Sequence, residues 1–277
     1  MRIGISADST CDLPQELAEK YDIRMNAMPF SLGERLCHDR VDGTSEDVFK
    51  YVEETGTLPT TSAFNAFEYK QHFENILKDY DAVIHFSFSS EISSTANNAR
   101  MAAEELKNVY VIDSLNASVG ISLLVMECVD RVQQGMKIQQ IVEEVKALVP
   151  KIHLSFVVDT LKFLHKGGRC SSLALLGANL LKIKPRISLV DGKMQVTKKY
   201  RGRTEDALVT YFEELIKEVP PQAKRAFIIS TSPMSTEEYI KNRLTEMGFK
   251  EVYSAQAGPS ICIHCGKRTL GVAYIAE

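Results

Sequence analysis

Four clusters of small polar residues are the first places in this sequence where chemistry could sit. They are Asp8-Ser9-Thr10, Pro59-Thr60-Thr61-Ser62, the run from Ser87 through Ser89-Ser90 and Ser93-Ser94 to Thr95, and Asp113-Ser114-Leu115-Asn116. Hydroxyls and free backbone amides at a helix start favour an anion, because the amides point outward and the helix dipole adds positive potential. The same residue types also serve as plain helix caps. Each cluster alone carries both readings, and several on one sheet edge would make a shared anion pocket. Two basic tips, Lys166-Gly167-Gly168-Arg169 and Arg201-Gly202-Arg203, carry forked donors that suit a phosphate or an acidic partner. Gly-Gly is equally a helix stop, and Lys166 and Arg169 can simply complement the carboxyl end of the preceding helix.

Cys262-Ile263-His264-Cys265 supplies up to three soft metal ligands. No second cluster offers a fourth, and strand-like alternation would turn Cys262 and Cys265 to opposite faces. No metal is expected. His264 alone has two readings, a hydrogen-bonded structural histidine or a neutral donor or titrating group beside an anion. The sequence contains no GxGxxG after its first strand, no P-loop, no GxSxG and no HExxH. It has no visible means of binding ATP or a dinucleotide by itself, so neither a self-sufficient kinase nor a dehydrogenase is indicated.

The positioning elements come from a chain of 277 residues, 44 % hydrophobic and 25 % charged, which is enough apolar material for a sizeable core. The net charge of -3, from 33 basic and 36 acidic side chains without like-charge blocks, gives no sign of nucleic-acid binding or a polybasic membrane surface. No apolar run approaches the roughly 20 residues of a membrane helix. Met1 to Ser6 reads as a strand and not as a leader. The six cysteines are scattered, as free thiols in a reducing compartment would be. A cytoplasmic protein is expected.

Short apolar runs alternate with helical patterns. Arg2 to Ala7 reads as a strand, followed by a helix start with Asp12 as cap, Pro14 in the first turn and Gln15 in a capping box. Val48, Tyr51, Val52 and Thr55 form a helical stripe closed by Gly56, and Asn65 caps another helix. Strand 82–86, helix 94–107 and strand 109–112 make a βαβ unit, hence parallel pairing. Residues 118–149 read as helical with a break near Gly135, and 119–129 as a well-buried helix. The rhythm then changes: a strand from His153, an apolar helix over 172–182, a hairpin around Asp191-Gly192, then helices over 205–219 and 235–247 among further strands. The chain therefore reads as α/β with two domains: residues 1–152, a mostly parallel, Rossmann-like sheet with the helical stretch, and 153–277, a mixed or antiparallel sheet.

In this order and spacing, several short motifs resemble the DegV family, bacterial fatty-acid-binding proteins that include the substrate subunits of fatty acid kinase. They are Asp8-Ser9-Thr10 with Asp12-Leu13-Pro14, Thr61-Ser62, Ser89-Ser90-x-Ile92-Ser93-x-Thr95 with Ala99, Val111-Ile112-Asp113-Ser114, Lys166-Gly167-Gly168-Arg169 and Arg201-Gly202-Arg203. Three places depart from the family pattern. Ala63-Phe64-Asn65 stands for Gln-Pro-Ser, Ser94 for glycine, and His264-Cys265-Gly266-Lys267-Arg268 for His-x-Gly-Pro-Gly.

The resemblance implies a DegV-like fold with one long-chain fatty acid between the domains and no cofactor. The carboxylate would meet Thr61 and Ser93, with Ser62 and Thr95 in support and His264 close by. It implies a cytoplasmic carrier for phospholipid metabolism, not itself an enzyme, that presents the acid to a separate ATP-binding kinase subunit. Arg169, Arg201 and Arg203 would face that kinase or the new phosphate. The alternative is a substrate subunit resembling that of dihydroxyacetone kinase, which would hold a small ketone covalently on His264. An apolar tunnel or a small polar pocket separates the two. The apolar helices over 119–129 and 173–181 fit a tunnel or plain core.

Overall fold

A computed structural model of the protein describes residues 1–170 and 183–277; the helix read over 172–182 lies outside them. The chain opens with β1 (Ile3–Asp8), α1 (Gln15–Lys20) and β2 (Arg24–Asn26). A short meander, β3 (Pro29–Leu32) and β4 (Arg35–His38), leads to α2 (Ser45–Thr55) and β5 (Thr60–Thr61). There follow α3 (Ala66–Leu77), β6 (Ala82–Ser87), α4 (Thr95–Glu104), β7 (Val109–Asp113), α5 (Val119–Gln133) and α6 (Ile138–Leu148). The remainder runs β8 (Ile152–Val157), α7 (Lys162–Gly167), β9 (Lys184–Val190), β10 (Lys193–Tyr200) and α8 (Thr204–Glu218). It closes with β11 (Pro221–Ser230), α9 (Thr236–Glu246), β12 (Glu251–Gln256), α10 (Pro259–Cys265) and β13 (Leu270–Ala276).

Among the described residues the strands form three sheets. The first, β2-β1-β6-β7, is parallel throughout, with Ile5 opposite Ile84 and His85 opposite Val111. Its inner strands are buried along their length, as a sheet covered on both faces requires. The largest, β10-β9-β8-β13-β11-β12, is mixed; only β11 and β12 run parallel. The hairpin at Asp191-Gly192 is its β9–β10 connection, with both residues at positive φ. The third, β4-β3-β5, is small and antiparallel.

Helix α5 is the spine. Every residue from Val119 to Val129 is buried, and the helix packs on β1 and β6 on one side and on β8, β11 and β13 on the other. Apolar faces all round are what a central helix needs, and each fully buried Leu, Val or Ile contributes about 1.5–3 kcal/mol. Polar contacts add to the join. Ser89 Oγ donates to the Gly192 carbonyl (2.7 Å), Ser45 Oγ to that of Ala257 (2.8 Å), and Lys193 pairs with Glu91 (3.1 Å).

Three sequence expectations are corrected. Asp12 does not cap α1, whose N-cap is Pro14; Asp12 sits at φ 53° and is buried, turned inward to partners far along the chain. Thr60-Thr61 is not a loop at the end of a parallel strand but the edge strand β5, pairing with Phe30 and Ser31. Cys262 to Cys265 lies on a helix and not on alternating strand faces. Gly258-Pro259 starts it, with proline in the first turn, and Gly266 at φ 73° ends it. By contrast, α2 spans the expected residues between a Thr44/Asp47 capping box and Gly56, and Asn65 caps α3 with Glu68.

Candidate functional site

Loops leaving the carboxyl ends of β1, β6 and β7 are tied together. Asp8, buried at the end of β1, accepts from Tyr69 Oη (2.7 Å) and from the Phe88 amide (3.2 Å), and the Ser89 amide donates to the Asn116 carbonyl (3.0 Å). The Ser89 carbonyl in turn accepts from the amides of Ile92 (3.1 Å) and Ser93 (3.0 Å), which shapes the approach to α4. These contacts carry Ser93, Ser94 and Thr95 to the rim of a cavity of about 280 Å³.

The same cavity is lined by Thr61 and Ser62 from β5 and its exit, by Ser260 and His264 from α10, and by Arg169 just beyond α7. Six of the residues expected at a site, Thr61, Ser62, Ser93, Thr95, His264 and Arg169, thus meet on one cavity separated widely in sequence. Arg201 and Arg203 do not line it. Both are exposed in the turn after β10, and Arg203 lies 3.9 Å from Asp206. Met28 and Ser260 were not picked out by the sequence reading yet face the cavity, as does Thr10, which it named only within a hydroxyl cluster. Thr10 ends the first hydroxyl cluster, and Ser260 follows the Gly-Pro helix start; those were the available signals.

The cavity wall carries Arg169 and His264, and no carboxylate among the described residues. His264 Nε2 lies 3.2 Å from Thr61 Oγ1, while its buried Nδ1 has no partner among the described residues. Gly167 explains how the ring fits: a methyl group there would stand 2.5 Å from Nδ1. Burial, helped by the Arg169 charge, holds the His264 pKa down to about 4, so the ring is neutral at pH 7. Behind this wall Asp39 is buried, and burial beside Asp12 pushes its carboxyl up to about 6 against the pull of Arg40, Ser260 and Ser9.

The hydroxyls divide the interior by chemistry. Thr10 and Thr95 each carry a buried hydroxyl with no partner among the described residues, and both line the cavity. An unpaired buried hydroxyl is costly, so these groups suit a polar ligand end. A small chamber of about 30 Å³ adjoins, bounded by Leu154, Phe156 and Ile229 and sharing Met194, Ile261 and Cys265 with the main cavity. It is also lined by Ser118, Ser230, Thr231 and Thr269, but each of their hydroxyls is committed elsewhere. Ser118 donates to Asp12, Ser230 accepts from Gln256, Thr231 donates to the Gly266 carbonyl and Thr269 to that of Cys265. What remains facing the chamber is apolar.

The six cysteines are buried, and none forms a disulfide among the described residues. Among the described residues no group of three or more His, Cys, Asp or Glu is placed to hold a metal ion, and no helix is long and apolar enough to cross a membrane.

Comparison with known proteins agrees with this architecture. A family model described as an uncharacterised protein of the DegV family matches residues 2–277. A DegV domain-containing protein of Clostridium perfringens is 28% identical over 100% of this chain and 99% of its own. A Thermus thermophilus DegV family structure described by its fatty acid binding superposes with a TM-score of 0.89 at 25% identity, covering 100% of both chains. DegV of Bacillus subtilis, described as a fatty acid binding protein, gives 0.83 at 27% identity, again over 100% of both.

Proposed function

The chain belongs to the DegV family, and from that membership and the cavity we infer that it binds one long-chain fatty acid. The carboxylate would sit among Thr61, Ser62, Ser93, Thr95 and His264, with the tail running toward the apolar chamber. The observation that carries this reading is the division of hydroxyls: unpaired at one end, all committed at the other. A buried carboxylate needs donors, whereas an acyl tail needs only apolar walls. Burying each methylene contributes about 0.8 kcal/mol, so the tail supplies most of the affinity. Solved relatives described as fatty acid binding support the ligand class.

In the same reading the protein is a two-domain carrier, divided near residue 152, and catalyses nothing alone. It presents the carboxylate to a separate ATP-dependent kinase subunit that forms the acyl phosphate, and Arg169, Arg201 and Arg203 face that partner or the transferred phosphate. The carrier should purify with close to one long-chain acid per chain, recovered by organic extraction and mass spectrometry. Finding no lipid, and no uptake of added acid, would sink the reading. An intact-mass adduct localised to His264 would instead favour the small-ketone subunit.

The carboxylate's position has its own test. Thr61→Ala or Ser93→Ala should each remove one charge-assisted hydrogen bond, about 1.5–3 kcal/mol, and so weaken acid binding roughly tenfold or more. Circular dichroism should show both variants folded. Parental affinity in both would place the carboxylate elsewhere.

A further inference from the structure

We propose that Met194, with Ile261 and Cys265, forms a constriction that sets the acyl chain length this protein accepts. The inference rests on the fatty-acid reading above and concerns the tail, not the head. These three residues wall both the main cavity and the deeper chamber. Ile261 and Cys265 stand four apart on α10, on one helix face. Met194 meets them from β10, where it is buried opposite Leu189.

The backbone that presents Met194 is pinned. Its own carbonyl accepts from Cys170 Sγ (3.4 Å), and two residues earlier the Gly192 carbonyl accepts from Ser89 Oγ (2.7 Å). Adjustment therefore falls to the side chain, and methionine is the unbranched, flexible side chain suited to it. Beyond the constriction, the chamber of about 30 Å³ has room for the last methylene or two. Leu154, Phe156 and Ile229 bound it. A tail that reaches past Met194 gains burial until it meets them; a longer one must distort the core, which is close-packed and resists it.

The test is competitive binding of straight-chain saturated acids, lengthened two carbons at a time, to the delipidated full-length protein. Met194→Ala removes three heavy atoms from the partition. It should shift the best-bound acid to greater length, with a gain of about fourfold for each further methylene accommodated. Ile261→Phe narrows the same opening and should shift the preference the other way. Ile261→Val is a milder enlargement that keeps the test intact should Ile261→Phe fail to fold; it should lengthen the preference slightly. An unchanged ranking of acids in Met194→Ala and Ile261→Val, with the parent binding normally, would overturn the proposal. Failure of the parent to bind any acid in the series would overturn the carrier reading beneath it.

Discussion

Asp12→Ala should lower the unfolding free energy by about 3 kcal/mol, a large share of a typical domain's stability. Asp12 Oδ1 accepts from Arg40 Nη2 (2.8 Å) and from the Gly258 amide (2.7 Å), and Oδ2 accepts from Ser118 Oγ (2.5 Å). One carboxylate thereby joins the loop after β1, the turn after β4, the start of α5 and the start of α10. Burial raises its pKa against the opposing pull of Arg40 and its hydrogen bonds, so the charge is costly to hold and costlier to leave unmatched. Truncation strands a buried amide and a buried hydroxyl and leaves Arg40 with only the Gln256 carbonyl and the charge of Asp39. It also places alanine at φ 53°, a conformation that Asp and Asn tolerate better. Asp12→Asn keeps the backbone and one of the two acceptor oxygens and should lose about 1 kcal/mol. Urea unfolding midpoints at constant slope measure both. A loss under about 1 kcal/mol for Asp12→Ala would mean that the neighbouring segments hold each other without it.

Arg201→Ala should retain bound fatty acid yet lose acyl-phosphate formation by about 10²–10³-fold when mixed with a cognate kinase subunit and ATP. Arg201 is exposed in a turn whose glycine has φ 100°, lies off the cavity, and has no ion-pair partner among the described residues. A buried tail gains nothing from it, whereas a guanidinium suits a transferring phosphoryl group or an acidic partner surface. His264→Ala should show the same split if the imidazole orients the carboxylate for attack on the phosphoryl group. Lipid content and product formation are read on the same preparations. Equal loss of both in Arg201→Ala would make Arg201 part of the pocket, and in His264→Ala would limit the imidazole to holding the acid.

The sequence was most legible where local rules and tertiary structure agree. The stripe ending at Gly56, the cap at Asn65 and the Asp191-Gly192 hairpin each follow from a single local preference and stand where expected. It was least legible where a partner distant in sequence decides. Asp12 carries the residue type of a cap, but its partners are Arg40, Ser118 and Gly258. Strands β2 to β5 have four residues or fewer, too short for a period to declare itself. The helix at 259–265 was masked by apolar residues that fit either period, and only Gly258-Pro259 marked its start. For the site, the hydroxyl clusters showed the chemistry. Their convergence depends on Ser89 and Asp8 binding the loops together, which no spacing reveals. The small apolar chamber was invisible, because its walls come from β8, β10, β11 and α10, residue types indistinguishable from ordinary core.

The closeness of Gly167 to His264 also decides where a proton resides. Nδ1 is enclosed and faces no acceptor among the described residues, so a hydrogen there would go unbonded. The neutral tautomer with its hydrogen on Nε2 is the one that gives that hydrogen a partner. From that nitrogen it donates to Thr61 Oγ1, 3.2 Å away. With its oxygen occupied as an acceptor in that tautomer, the threonine is left with its own hydrogen to give. A residue without a side chain, at the last turn of α7, thus bears on a hydroxyl of β5 through one imidazole tautomer.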